Sequence, residues 1–177
     1  MTLSDNGCSP VEDVSDGVEV RLFEFERHLR TSLRRFPLVV RYKLDACGAQ
    51  IALEDWQRLS LGERGLLVAH PIGTPGQRAT YLKTLDQIVS QRCGRLATRI
   101  APAPLDPFGD AMAVPEQIEA QCRRDGVVPI SLAQWRGLSP LAHYSLLKLS
   151  RPEHRNRGFR DLLMELTRTA RAGALLD

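Results

Sequence analysis

Side chains able to do chemistry are present in this 177-residue chain, but their spacing disperses them. The four histidines stand at positions 28, 70, 143 and 154. None opens an HxxH or HExxH run, the spacings that put metal-binding imidazoles on one helix face. The cysteines at 8, 47, 93 and 122 include no CxxC pair. Cys47 and Cys122 read as small buried apolar residues of a reducing compartment, and Cys8 as a tail residue. No GxSxG elbow and no GxxxxGK loop occurs, and Gly73 and Gly76 merely flank Thr74-Pro75. Glu54-Asp55 reads as a pair of acids in the first turn of a helix, where the macrodipole favours them. The residue types therefore suggest no catalytic group, no metal site, no cofactor site and a protein that is not an enzyme.

Two charged segments remain as candidates for contact with a partner. The first is Arg41-Tyr42-Lys43-Leu44-Asp45. On a helix Arg41 and Asp45 fall at i, i+4, where a surface pair is worth roughly a few tenths of a kcal/mol. The second is LSRPEHRNRG, Leu149 to Gly158, which sets Arg151, His154, Arg155 and Arg157 in a loop between two helices. Loops on rigid scaffolds carry binding residues disproportionately. A third feature, helix–turn–helix over Leu132 to Leu149, has the outline of a DNA-reading motif. Its second helix offers only His143, Tyr144 and Lys148, a thin set for reading a duplex.

The elements that must position these residues form two similar series. Pro37 and Gly48 match Pro115 and Gly126 at a spacing of 78. After one inserted residue, Ile51, Leu53, Trp56, Leu59, Ser60 and Leu67 match Ile130, Leu132, Trp135, Leu138, Ser139 and Leu146 at a spacing of 79. Each series reads as one unit. A proline opens a helix; Val40, Leu44 and Cys47, or Ile118 and Cys122, form its apolar stripe; a glycine closes it. A short extended step, a two-turn Trp helix, and a helix capped by Ser60 or Ser139 follow. Thr74-Pro75 starts a long helix with Tyr81, Leu85 and Ile88 on one face, ending near Gly94. Phe159, Leu163 and Leu166 play that part in the second series. Neither unit can bury its own stripe, so the expected fold is all-α, one compact body of two divergent tandem helical repeats with a tryptophan anchoring each core. The boundaries read as an acidic disordered tail over 1–18, a first repeat over 19–100, a Pro-rich connector over 101–114 and a second repeat over 115–177. Val18 to Arg30 is compatible with a short strand or a helix start.

Net charge is +3, too small to demand a nucleic-acid partner. Residues 1–20 hold five acids and no Lys or Arg, which leaves +8 on the remainder. That charge is nearly all arginine, as a GC-rich genome would produce and as recognition of carboxylates or phosphates would use. No stretch approaches the roughly 18 apolar residues of a membrane span. The first 20 residues lack a basic start and an apolar core, so the expected location is cytoplasmic.

Several runs resemble a known family. FEFE (Phe23–Glu26), FPLVVRYKLDACG (Phe36–Gly48) and Leu53-x-x-Trp56 are similar to the opening half of the nitrate reductase-associated proteins. ISLAQWRGLSPLAHYSLLKLSRPEHRNRGF (Ile130–Phe159) is similar to their closing half. The resemblance runs from about Leu22 to Leu166. These proteins occur in cyanobacteria and other bacteria beside nitrate reductase and molybdopterin-cofactor genes. The resemblance implies a non-enzymatic accessory of assimilatory nitrate reductase that aids its maturation or molybdenum-cofactor loading by protein contact. The implied partner is nitrate reductase or the cofactor-delivery machinery, with no membrane and no nucleic acid. The polar members of the shared motifs, Arg41, Lys43, Asp45, Arg151 and His154, together with Arg155, are the expected contact residues. Two other functions stay open: a helical nucleic-acid-binding regulator, and a small-molecule enzyme, which would show a concave pocket with perturbed ionisable groups.

Overall fold

The computed structural model of the chain describes residues 22–29, 32–108, 111–151 and 157–173. The acidic tail over 1–18, with Cys8, and residues 152–156 of the basic loop, with His154 and Arg155, lie outside the described residues. Among the described residues the chain forms nine helices and one two-stranded sheet.

The segment compatible with strand or helix is a 3-10 helix, η1 (Glu24–Leu29). Phe23, Glu26 and Leu29 are its buried side of the chain, and a spacing of three is the period of that helix. Pro37 and Pro115 sit at the N-caps of α1 (Leu38–Cys47) and α5 (Glu116–Asp125), one position before the first turn. Gly48 and Gly126 close these helices in the left-handed conformation, φ +69° and +62°. The Trp helices are α2 (Leu53–Arg58) and α6 (Leu132–Arg136). Ser60 and Ser139 cap α3 (Leu61–Ala69) and α7 (Pro140–Leu149), Ser60 in a capping box with Glu63. Thr74 caps the long α4 (Pro75–Cys93), which Gly94 ends, and α8 is Arg157–Gly173.

The extended step after Gly48 is shorter than expected. Ala49–Gln50 (β1) pairs antiparallel with Thr98–Arg99 (β2), and Leu53 already belongs to α2. No strand stands at the corresponding place after Gly126 among the described residues. The Pro-rich connector is a strap. Ala103 N–H donates to the Asp45 carbonyl at 2.8 Å, and Tyr42 donates its hydroxyl hydrogen to the Leu105 carbonyl at 3.0 Å.

Two apolar clusters fill the interior. One gathers Val40, Trp56, Leu67, Tyr81 and Leu85; the other gathers Ile118, Trp135, Leu146, Phe159 and Leu162. Both tryptophans are fully buried, and a core side chain of that size costs about 3–5 kcal/mol on truncation. The clusters interlock, because Phe23 and Leu38 belong to the second and Leu141 packs against both. Trp56 donates its indole N–H to the Leu33 carbonyl at 2.6 Å. Leu33 holds φ +45°, a conformation costing about 1–3 kcal/mol in a non-glycine residue. Arg64 fastens the same turn through Ser32 at 2.6 Å. No helix among the described residues is long and apolar enough to cross a membrane.

Candidate functional site

α1 carries the first charged segment, and its turns part Lys43 from Arg41 and Asp45. Lys43 is buried, against the expectation that it contacts a partner. It lies three residues after Val40 and one before Leu44, on the apolar stripe itself. Its ammonium donates to the Val68 and His70 carbonyls at 2.5 and 2.6 Å, closing the C-terminus of α3. Burial lowers its pKa to about 8.

Asp45 is not paired with Arg41 as the local spacing suggests. Its carboxylate accepts from the Tyr144 hydroxyl at 2.6 Å and from the Lys148 ammonium at 3.2 Å, both on α7. Burial, and then the bond to Asp45, raises the pKa of Tyr144. Helix α7 consequently turns its polar residues inward. His143 is buried, with its two ring nitrogens against the Trp135 carbonyl at 2.8 Å and the Asp106 carboxylate at 3.2 Å. A DNA-reading helix would need those groups outward.

Arg41 is half-buried, its guanidinium 5.5 Å from the centre of the Phe36 ring, a cation–π distance. It lines two adjoining clefts. One, of about 250 Å³, is walled by Phe25, Glu26, His28, Arg35 and Leu149 among others. The second, of about 310 Å³, is lined by Asp45, Ala49 and Ile100 among others. Phe36, Arg41 and Lys148 line both. Glu26 forms part of the floor at 5 % exposure. Its Oε1 accepts the Leu38 N–H at 2.9 Å, while Oε2 is buried without a hydrogen-bond partner. Burial pushes its pKa up to about 7; the Leu38 and Phe23 backbone bonds and the Arg41 charge pull the other way. This concave, mixed-charge cleft with a perturbed carboxyl is the geometry that a small-molecule site would show.

The structure therefore brings Arg41 and Asp45 to one face and takes Lys43 away from it. Arg151 is exposed just beyond α7, near enough for its charge to act on the Tyr144 phenol. Glu26, Arg35 and Lys148 were not singled out as site residues from sequence. Glu26 lies in the FEFE run, and its place on the inward period of η1 was the available signal. The thiols of Cys47 and Cys122 are buried, and burial raises the pKa of each, which leaves them poor nucleophiles. Among the described residues no group of three or more His, Cys, Asp or Glu side chains is placed to hold a metal ion.

A family model for the conserved nitrate reductase-associated proteins matches residues 22–166. Searches of curated proteins and of solved structures returned no match. The matched span is most of the chain, and the chain belongs to this family.

Proposed function

We propose that this member of the nitrate reductase-associated family is a non-enzymatic accessory protein that aids maturation of assimilatory nitrate reductase in the cytoplasm. It would bind the apo-enzyme and hold it in a state open to its molybdenum cofactor. The observation that carries this reading is the family match across residues 22–166. The exposed Arg151 and the cleft-lining Arg41 support it as a cationic face inside the matched span. The thermodynamics require differential affinity: an accessory that binds open and closed enzyme equally shifts nothing.

Calorimetry of the full chain with nitrate reductase from the same organism, apo and cofactor-loaded, at two salt concentrations tests this. Binding to the apo form at least about tenfold tighter, corresponding to about 1.4 kcal/mol, is expected. Equal affinity for both forms would remove the maturation role and keep the association. No heat with either form up to roughly 50 µM would remove direct contact with the enzyme.

A further inference from the structure

Arg41 is a guanidinium from which two acids are withheld. Asp45, one turn along α1, is the acid that local helix geometry would give it. Tyr144 and Lys148 hold that carboxylate from α7, at 2.6 and 3.2 Å. Glu26 faces the same cleft and is close enough for the Arg41 charge to act on it. Yet among the described residues Glu26 forms no ion pair, and its Oε1 is spent on the Leu38 N–H. Among the described residues the Arg41 guanidinium has no hydrogen-bond or ion-pair partner, only the Phe36 ring. A half-buried fork of five N–H donors is built to meet paired oxygens. Lys148 adds a second cation that is held in place, since Asp45 anchors its ammonium and the Tyr144 ring lies 5.5 Å from it. Arg35 stands on the same wall. Beside these charges the cleft presents Phe25, Leu29, Phe36 and Leu149. Cations and apolar side chains lining one cleft select a particular kind of molecule.

We propose that the cleft between η1, α1 and α7 is a binding site for a small organic oxyanion, a carboxylate or phosphate on a short apolar body, which Arg41 grips through its guanidinium fork with Lys148 alongside. The site does not depend on the association with nitrate reductase. It stands on a cation that has no acid partner among the described residues, a second cation held beside it, and a cleft of about 250 Å³. Asp45 and Tyr144 are positioning residues: Asp45 fixes Lys148, and the Tyr144 hydroxyl holds Asp45 off Arg41.

The test is an amide and arginine side-chain NMR titration of the ¹⁵N-labelled full chain at constant ionic strength. Inorganic phosphate and benzoate are the two probes. Saturable shifts at Phe36, Leu38, Arg41 and Lys148 are expected, with half-saturation at about 1–5 mM or below for the preferred probe. Benzoate binding more tightly identifies a carboxylate with an apolar body; phosphate binding more tightly identifies a phosphoryl group. Arg41→Gln should weaken binding about tenfold or more, Arg41→Lys less, because charge remains but the fork is lost. Arg136→Gln, on α6 away from the cleft, should bind as wild type does. Non-saturating shifts spread over the exposed arginines, or unchanged binding by Arg41→Gln, would overturn the site. Should Arg41→Gln not fold, Arg41→Lys and Lys148→Gln carry the same comparison, and unchanged affinity in both overturns it equally.

Discussion

A carboxyl held in a low-dielectric wall keeps its proton longer than one in water, and Glu26 is the residue where this has a measurable consequence. Its pKa is pushed from 4.5 to about 7 by burial. The groups acting on it are Arg41 and Glu165, and His28, Arg35 and Lys148 share its cleft. Between those two values the folded chain keeps a proton that the unfolded chain has released, so stability falls as pH rises from about 4.5 to 7. The size is up to about 3 kcal/mol, at 1.36 kcal/mol per pKa unit. Glu26→Gln keeps an acceptor for the Leu38 N–H and removes the ionisation. Urea unfolding at pH 5 and pH 8 should therefore show a smaller pH difference in the variant, and a variant more stable than wild type at the higher pH. An equal pH dependence in the two would show that Glu26 ionises normally. The cleft that contains Glu26 was not legible in the sequence, since Glu26, Arg41 and Lys148 meet only through the packing of three separate elements.

At the scale of elements, two glycines that read alike have different surroundings. Gly48 and Gly126 both end a helix with φ above +60°, where an alanine costs about 1–2 kcal/mol through its Cβ. A Cβ on Gly126 would meet nothing within 4 Å, whereas one on Gly48 would lie 2.6 Å from the Ile100 carbonyl oxygen. That carbonyl belongs to the residue directly after β2, whose own N–H donates to the Gly48 carbonyl at 3.0 Å. Gly126→Ala should thus cost about 1–2 kcal/mol, and Gly48→Ala roughly twice that or more, with the β1–β2 pairing disturbed. The denaturation midpoints of the two variants measure the difference, and equal losses would mean the strands part without cost. The caps themselves were legible because they are local. Ser60, Thr74, Ser139, Gly48 and Gly94 each act on backbone groups within four residues. The sheet was not, because β1 and β2 are two residues each and meet across the three helices α2, α3 and α4.

Over the whole molecule the two apolar clusters share residues, so they should unfold together. Phe23 and Leu38, from the N-terminal half, are buried in the cluster around Trp135. The bond from Tyr144 to Asp45 joins α7 to α1 across 99 residues. Each cluster contains one tryptophan, which supplies an internal probe. Trp56→Phe leaves a single indole, in the second core, and Trp135→Phe a single indole, in the first; the fluorescence transition of either variant should coincide with its own circular-dichroism transition. Coincidence is the signature of one cooperative unit. A fluorescence transition displaced from the dichroism transition would show that the halves are separately stable.

The sequence by itself determined the helical class, the serine, threonine and glycine helix caps, the buried tryptophans and the family. All of these rest on patterns that repeat within a turn or two, or on long contiguous motifs. It also marked Arg41 and Asp45, though as partners of one another. Only the tertiary structure decided their roles. Tyr144 and Lys148 arrive from about 100 residues away and capture Asp45. Lys43 is drawn inward by the open carbonyls at the end of α3. A spacing of i, i+4 brings two charges near each other, but which of the available groups wins a carboxylate depends on desolvation and on every donor that folding delivers to it. That competition left Arg41 without an acid among the described residues and made the cleft.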